Sequence, residues 1–201
     1  MQYSQIASRV ATVGPLSTKA VSDESLISQI ASGDKHAIRV LIARHNIRVF
    51  RFLLRIVRNE ATAEDLLNEI FIDVWRHAGR FESRCQVATW ILAIARNKAL
   101  SSLRQRSYDE LDDQLDIQDP SDDPEAVMQK TRRSALLQDC LRRLSAPHRE
   151  VIDLVYYHEQ SIDEVAKIVG APSSTVKTRL FYARKHIAEL MSKRGVEAGY
   201  A

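Results

Sequence analysis

An all-α chain of two small helical domains, joined by an acidic flexible linker, is the fold class this sequence predicts. Three observations predict it. Apolar residues recur at helical spacing from Asp23 to Arg106 and again from about Ala126. Only 6 Gly and 5 Pro, with aromatics at 6%, leave too few turn formers and strand formers for a sandwich or barrel. Between the two periodic runs, from Ser107 to Glu125, lie Asp109, Glu110, Asp112, Asp113, Asp116, Asp119, Asp122, Asp123 and Glu125, with no Lys or Arg. Asp119-Pro120 and Asp123-Pro124 interrupt any helix there, because the residue before proline is pushed out of the α region. The expected boundaries are a flexible arm over 1–22, a first domain over 23–107, the linker over 108–125, a second domain over 126–195 and a tail over 196–201.

The first domain reads as four helices. Asp23 is the expected cap of a short one carrying Leu26, Ile27 and Ile30, and Gly33-Asp34 breaks it. A longer helix follows, with Ile38, Leu41, Ile42, Val49, Phe50, Leu53, Leu54 and Val57 on its expected buried side. Thr62 with Asp65 three residues on resembles a capping box for a third helix bearing Leu66, Leu67, Ile70, Phe71, Val74 and Trp75, ended by Gly79. Arg80 to Gln86 reads as a loop, and a fourth helix runs from about Val87 to Arg106 with Trp90, Ile91, Ile94, Leu100 and Leu103 inward.

In the second domain, Ala135, Leu136, Leu137, Cys140, Leu141 and Leu144 mark a helix that stops before Ser145. Pro147 opens the next in a first-turn position, ahead of Val151, Ile152, Leu154 and Val155. Ser161 and Glu164 form a capping box for a helix ending at Val169, Gly170 closes it, and Ser173 is the expected cap of a last helix with Val176, Leu180, Ala183, Ile187 and Leu190 inward.

Charge narrows the function classes. Net charge is +3, but setting the nine linker acids aside from the 26 Asp and Glu leaves 17 against 29 Lys and Arg. The remainder carries about +12 and favours a polyanion such as nucleic acid. Two cysteines exclude a disulfide scaffold; Cys140 falls on an apolar stripe and Cys85 in a loop. The six histidines are scattered and no Gly-rich phosphate loop occurs, so no enzyme, cofactor or metal site is expected. No apolar run approaches the roughly 20 residues of a membrane helix and no secretory leader is evident, so membrane insertion is not expected and the expected location is cytoplasmic.

The most specific local signal is Ser161 to Ile187, a helix, a glycine turn and a second helix, with small Ala166 where the helices approach. Such a unit places the first turns of its second helix in the major groove. Those turns present Ser173, Ser174, Thr175, Lys177, Thr178 and Arg179, followed by Tyr182, Arg184, Lys185 and His186, the side-chain types that reach base edges and phosphates. An αα-hairpin with a basic solvent face is the alternative reading of the same spacing.

The run LSAPHREVIDLVYYHEQSIDEVAKIVGAPSSTVKTRLFYARKHI resembles the promoter-binding fourth region of bacterial RNA polymerase sigma factors. The run AEDLLNEIFIDVWRHAGRF, continuing to TWILAIARNKALSSLRQR, looks like their second region. Together with their flanks these cover about 150 of the 201 residues, in the family's order and without room for a globular third region. The pattern is similar to the compact extracytoplasmic-function class, whose members are alternative factors often tied to stress or envelope responses.

The resemblance implies partners and roles. In the family, the helix matching 62–78 docks on the clamp helices of the largest polymerase subunit, and the fourth region meets the flap. Here that helix interleaves Asp65, Asn68, Glu69 and Asp73 with its apolar stripe, beside Phe71 and Trp75. Phe81 and Asn97 match positions that form the pocket for a base flipped from the minus-ten element. Cations that track the single strand are supplied by Arg84, Arg96, Lys98, Arg104 and Arg106. Lys177, Thr178 and Arg179 match minus-thirty-five readers. Departures are visible: Glu82, Ser83 and Arg84 replace an Arg-Gly-acid run, Val87 replaces an aromatic, and Tyr182 stands where relatives carry a cation. The resemblance also implies an anti-sigma protein as a partner, and a linker running near the RNA exit path. The competing expectation is a stand-alone helix-turn-helix regulator whose first domain senses a signal or dimerises.

Overall fold

A computed structural model describes residues 21–109, 137 and 139–192. Every described element is helical. The expected arm up to residue 20, the linker from Glu110, Ala135 and Leu136, the Arg106 side chain and the tail lie outside the described residues. The chain divides into two compact units, with the division falling between Ser102 and Leu103.

The first unit contains α1 (Asp23–Ala31), α2 (Lys35–Val57), α3 (Glu60–His77), a 3-10 turn (Ala78–Arg80) and the start of α4 (Val87–Asp109). α2 packs on both α1 and α3. The cap of α1 is Ser22, whose Oγ accepts from the Ser25 N–H at 3.2 Å, and not the expected Asp23. Asp23 is instead occupied across the helix pair. Arg44 Nη1 donates to its carboxylate at 2.6 Å and to the Val21 carbonyl at 2.7 Å, and His45 Nε2 lies 2.7 Å from its other oxygen. Burial alone raises the Asp23 pKa, but the hydrogen bonds and charges of Arg44 and His45 more than offset that and hold the carboxyl below its ordinary 3.8.

The centre line of α2 runs Ala37, Leu41, His45, Val49, Phe52, Leu53 and Val57. Four residues expected there (Ile38, Ile42, Phe50 and Leu54) are only half-buried. A count of large apolar residues overlooks small Ala37 and polar His45, and so places the stripe slightly around the helix. In α3 the expected Thr62/Asp65 box is not the cap. Asn59 Oδ1 accepts from both the N–H and the O–H of Thr62 at 2.9 Å, so the helix starts at Glu60. Phe71 is buried and so does not share the acidic face, while Trp75 is half-buried.

α4 buries Val87, Ile91, Leu92, Ala95 and Ala99. Trp90, Ile94, Leu100 and Leu103 are half-buried. The buried line follows Val87, Ile91, Ala95 and Ala99 at a spacing of four, with Leu92 beside it, so these four bulkier residues off that line stay half-buried. The helix continues to Asp109, past the expected end at Arg106 and into the first residues assigned to the linker.

In the second unit, helical backbone at 139–142 precedes α5 (Ala146–Ile152), capped at Ser145 and opened by Pro147. One side chain joins these helices: Arg149 donates from Nε to the Leu141 carbonyl at 3.1 Å and from Nη2 to the carbonyls of Arg142 (2.9 Å) and Leu144 (3.0 Å). It adds a donor at a helix end, where the last carbonyls lack the N–H of a following turn; the Leu141 carbonyl also accepts from the Leu144 N–H at 3.3 Å. α5 runs on into a π-helical turn (Asp153–Tyr157), which the periodicity did not foretell. α6 (Ile162–Val169) and α7 (Ser173–Ser192) complete the unit. Its core joins Cys140, Leu144, Val151, Ile152, Leu154, Val165, Ile168, Val176, Leu180 and Ala183, and each fully buried side chain of Leu or Ile size contributes about 1.5–3 kcal/mol.

Candidate nucleic-acid interface

The turn between α6 and α7 sets the geometry of the second unit. Both halves of the capping box form: Glu164 N–H donates to Ser161 Oγ at 3.3 Å, and Ser161 N–H donates to Glu164 Oε2 at 3.0 Å. Gly170 follows at φ 65° and ψ 39°, a left-handed conformation that glycine adopts without steric cost. α7 then begins at Ser173. Pro172, not Ser173, stands in the cap position: its carbonyl accepts the first intrahelical bonds, from the N–H groups of Thr175 (2.9 Å) and Val176 (3.2 Å). The Ser173 hydroxyl donates to Asp163 at 2.7 Å and ties the starts of α6 and α7 together.

Val176, Leu180 and Ala183 bury one face of α7. Ser174, Lys177 and Thr178 are exposed, and Thr175 and Arg179 are half-exposed. The Thr178 hydroxyl donates to the Ser174 carbonyl at 3.0 Å, which leaves its oxygen as an acceptor. Neither Lys177 nor Arg179 has an ion-pair partner among the described residues. Arg184 is held: its Nε donates to the Tyr156 hydroxyl at 2.7 Å, and its guanidinium lies 5.5 Å from that ring's centroid. Tyr182 and Lys185 belong to another flank, lining a shallow cleft of about 440 Å³ with Arg143, His148 and His186. Sequence reasoning missed Phe181, which is 62% exposed and packs edge-on against Tyr182 at 5.4 Å. The signal was present: Phe181 falls off the apolar stripe of its own helix, so it has no core to enter.

In the first unit, α3 presents Asp65, Asn68 and Glu69 to solvent, with Asp73 half-buried. Ile72, also missed, is 49% exposed among them. The α4 residues divide. Asn97 and Arg104 are exposed, and Arg96 is half-buried. Lys98 reaches back to α3, with Nζ 2.9 Å from Glu69 Oε2 and 3.0 Å from Asp73 Oδ2. Burial lowers the Lys98 pKa, but the hydrogen bonds and charges of Glu69 and Asp73 outweigh it and lift the ammonium above the ordinary lysine value. In the loop before α4, Phe81 lies against Trp90 with ring centroids 5.1 Å apart. Ser83 takes a left-handed φ of 55°, and Arg84 pairs with Glu82 at 2.6 Å. No group of three or more metal-ligating side chains, and no helix long and apolar enough to cross a membrane, occurs among the described residues.

Comparison with known proteins covers both units. Residues 41–108 match the family described as Sigma-70 region 2, and residues 134–187 match Sigma-70, region 4. RNA polymerase sigma factor CarQ of Myxococcus xanthus is 32% identical over 172 residues, spanning 85% of this chain and 98% of its own length. The sigma-H factor of Pseudomonas aeruginosa is 25% identical over 176 residues, 82% of this chain and 91% of its own. ECF RNA polymerase sigma factor SigL of Mycobacterium tuberculosis is 29% identical over 175 residues, 85% of this chain and 97% of its own. Among solved structures, CnrH in complex with the cytosolic domain of CnrY matches at a TM-score of 0.63 and 23% identity, over 85% of this chain and 97% of that one. Sigma factor RpoE of Bartonella quintana, solved with the anti-sigma factor NepR, matches at 0.63 and 23%, over 77% and 96%. These structural likenesses speak for the fold. Two region matches in the family's order, with a 32% identical relative matched along nearly its full length, make the chain a member of the RNA polymerase sigma factor family, in its extracytoplasmic-function group.

Proposed function

We propose that the chain binds core RNA polymerase, recognises two promoter elements and directs transcription initiation, without catalysing a reaction itself. The observation that carries this reading is the α6–Gly170–α7 unit presenting Ser174, Lys177 and Arg179, in a chain whose other unit matches region 2. In this reading Ser173, Ser174, Thr175, Lys177, Thr178 and Arg179 serve the minus-thirty-five element, with Tyr182, Arg184 and Lys185 along the adjoining backbone. Phe181 joins them as an apolar group suited to a thymine methyl. Ser173 and Arg184 act mainly through geometry, since each is already bonded within the unit. Phe81, Arg84, Arg96, Asn97 and Arg104 serve the minus-ten strand, and Asp65, Asn68, Glu69, Asp73 and Trp75 the polymerase clamp.

An anti-sigma protein completes the set of partners; the resemblance and the group membership support it. Transcription in vitro with purified core polymerase and a genomic promoter library tests the whole reading, since the chain must direct initiation at a defined promoter set. A stand-alone regulator would bind promoter duplex tightly without polymerase. That outcome would replace this reading, although it leaves the region 2 match over 41–108 unused.

A further inference from the structure

We propose that Lys98 is an internal counter-ion that masks Glu69 and Asp73 and thereby sets how tightly the chain engages core RNA polymerase. The inference rests on the reading of α3 as the polymerase-docking helix. Glu69 and Asp73 lie four residues apart, one helical turn, on the same face of α3. Lys98 comes from α4 and reaches both, at 2.9 and 3.0 Å, with its side chain only 26% exposed. Bridging two carboxylates commits two of its three ammonium protons and leaves the trio with a net charge of −1, which disfavours a phosphate beside it in the same state.

A basic partner surface therefore does not meet two solvated carboxylates. It meets two that already have a cation, and must displace or share it. Lysine suits displacement, because its ammonium is a point charge on a flexible stem rather than a planar fork locked to its acceptors. Asp65 makes no ion pair with a described residue, so masking is confined to the second and third acidic positions of the face. The sign of the effect is opposite to the intuition that a cation on a nucleic-acid-binding protein helps assembly. Removing Lys98 unmasks the carboxylates and tightens docking.

The test is equilibrium binding of the full chain to core polymerase, read by fluorescence anisotropy. Lys98→Met keeps the apolar stem and removes the charge; two partly exposed ion pairs released in this way predict roughly 3- to 10-fold tighter binding. Lys98→Arg, which retains the bridge as a planar fork that is harder to displace, is expected to bind no tighter than wild type. In a Glu69→Gln/Asp73→Asn background, which itself weakens docking, Lys98→Met is expected to have no further effect. Far-UV circular dichroism checks folding, and Lys98→Gln repeats the measurement should the methionine variant not fold. Weaker binding by both neutral variants would mean that Lys98 organises the carboxylates for the partner, and unchanged binding would mean that it does not compete. Either overturns the masking while wild-type docking preserves the functional reading. Failure of the wild-type chain to bind core polymerase overturns both.

Discussion

Replacing Gly170 with alanine isolates one term in the stability of the helix-turn-helix unit. Gly170 sits at φ 65°, and a Cβ built there has no heavy atom within 4 Å beyond its chain neighbours. No clash therefore contributes, and the cost is the left-handed backbone conformation itself, about 1–2 kcal/mol for an L-residue. Because α6 and α7 join at this turn, the loss should appear as local opening of the pair. Hydrogen exchange followed by mass spectrometry on peptides from α6 and α7 should register protection reduced about 5- to 30-fold, the same free energy expressed as a ratio. Tryptophan fluorescence should not change, since both tryptophans, Trp75 and Trp90, lie in the first unit. Gly79→Ala is the control. That position is equally open but carries no left-handed φ, so alanine should be neutral or stabilising by at most about 1 kcal/mol. Protection in Gly170→Ala within twofold of wild type would refute the argument that the left-handed turn holds these helices in place.

Three further outcomes are expected. Lys177→Ala should weaken minus-thirty-five recognition by about 1–3 kcal/mol if the ammonium reads a base, whereas a phosphate contact would weaken all sequences alike and flatten the salt dependence; unchanged promoter use by Lys177→Ala with Arg179→Ala would remove α7 from the interface. Phe81→Ala should cost about 0.5–1.5 kcal/mol from the lost ring pair and shift Trp90 emission, and a spectrum identical to wild type would count against that contact in solution. Asp23 has a folded pKa below 3.8, so its stabilising contribution is present above that value and lost as the pH falls through the lowered folded value. The stability gap between wild type and Asp23→Asn, followed by tryptophan fluorescence in denaturant, should therefore be largest at neutral pH and close in strong acid; a gap independent of pH would contradict the assignment.

Legibility in the sequence followed how local each determinant is. The box of Ser161 and Glu164 and the glycine at 170 were readable because their chemistry closes within a few residues. The cap of α3 was misread because Thr62 and Asp65 mimic a box, while Asn59 just upstream binds both Thr62 donors and starts the helix earlier. Asp23 failed as a cap for a long-range reason: Arg44 and His45, over twenty residues away, claim its carboxylate. Lys98 was legible as a cation near Asn97, but its bridge to α3 depends on how two helices pack, which no spacing along one helix reveals. The π turn at 153–157 breaks the helical register on which Val151, Ile152, Leu154 and Val155 were spaced, so that spacing could not foretell the contact between Tyr156 and Arg184.

Arg149 has a consequence for mutational tolerance in the second unit. Three backbone carbonyls converge on one guanidinium, and a fork of N–H groups in fixed directions reaches all three at once. Lysine conserves the charge but offers one nitrogen, so it cannot follow acceptors presented from separate directions. Arg143, which pairs with the single carboxylate of Asp139 one turn away at 3.2 Å, asks only for a positive charge. A library that exchanges arginine for lysine should therefore lose members at 149 and keep them at 143. Within one helical junction, the same residue type is constrained by shape at one position and by sign at another.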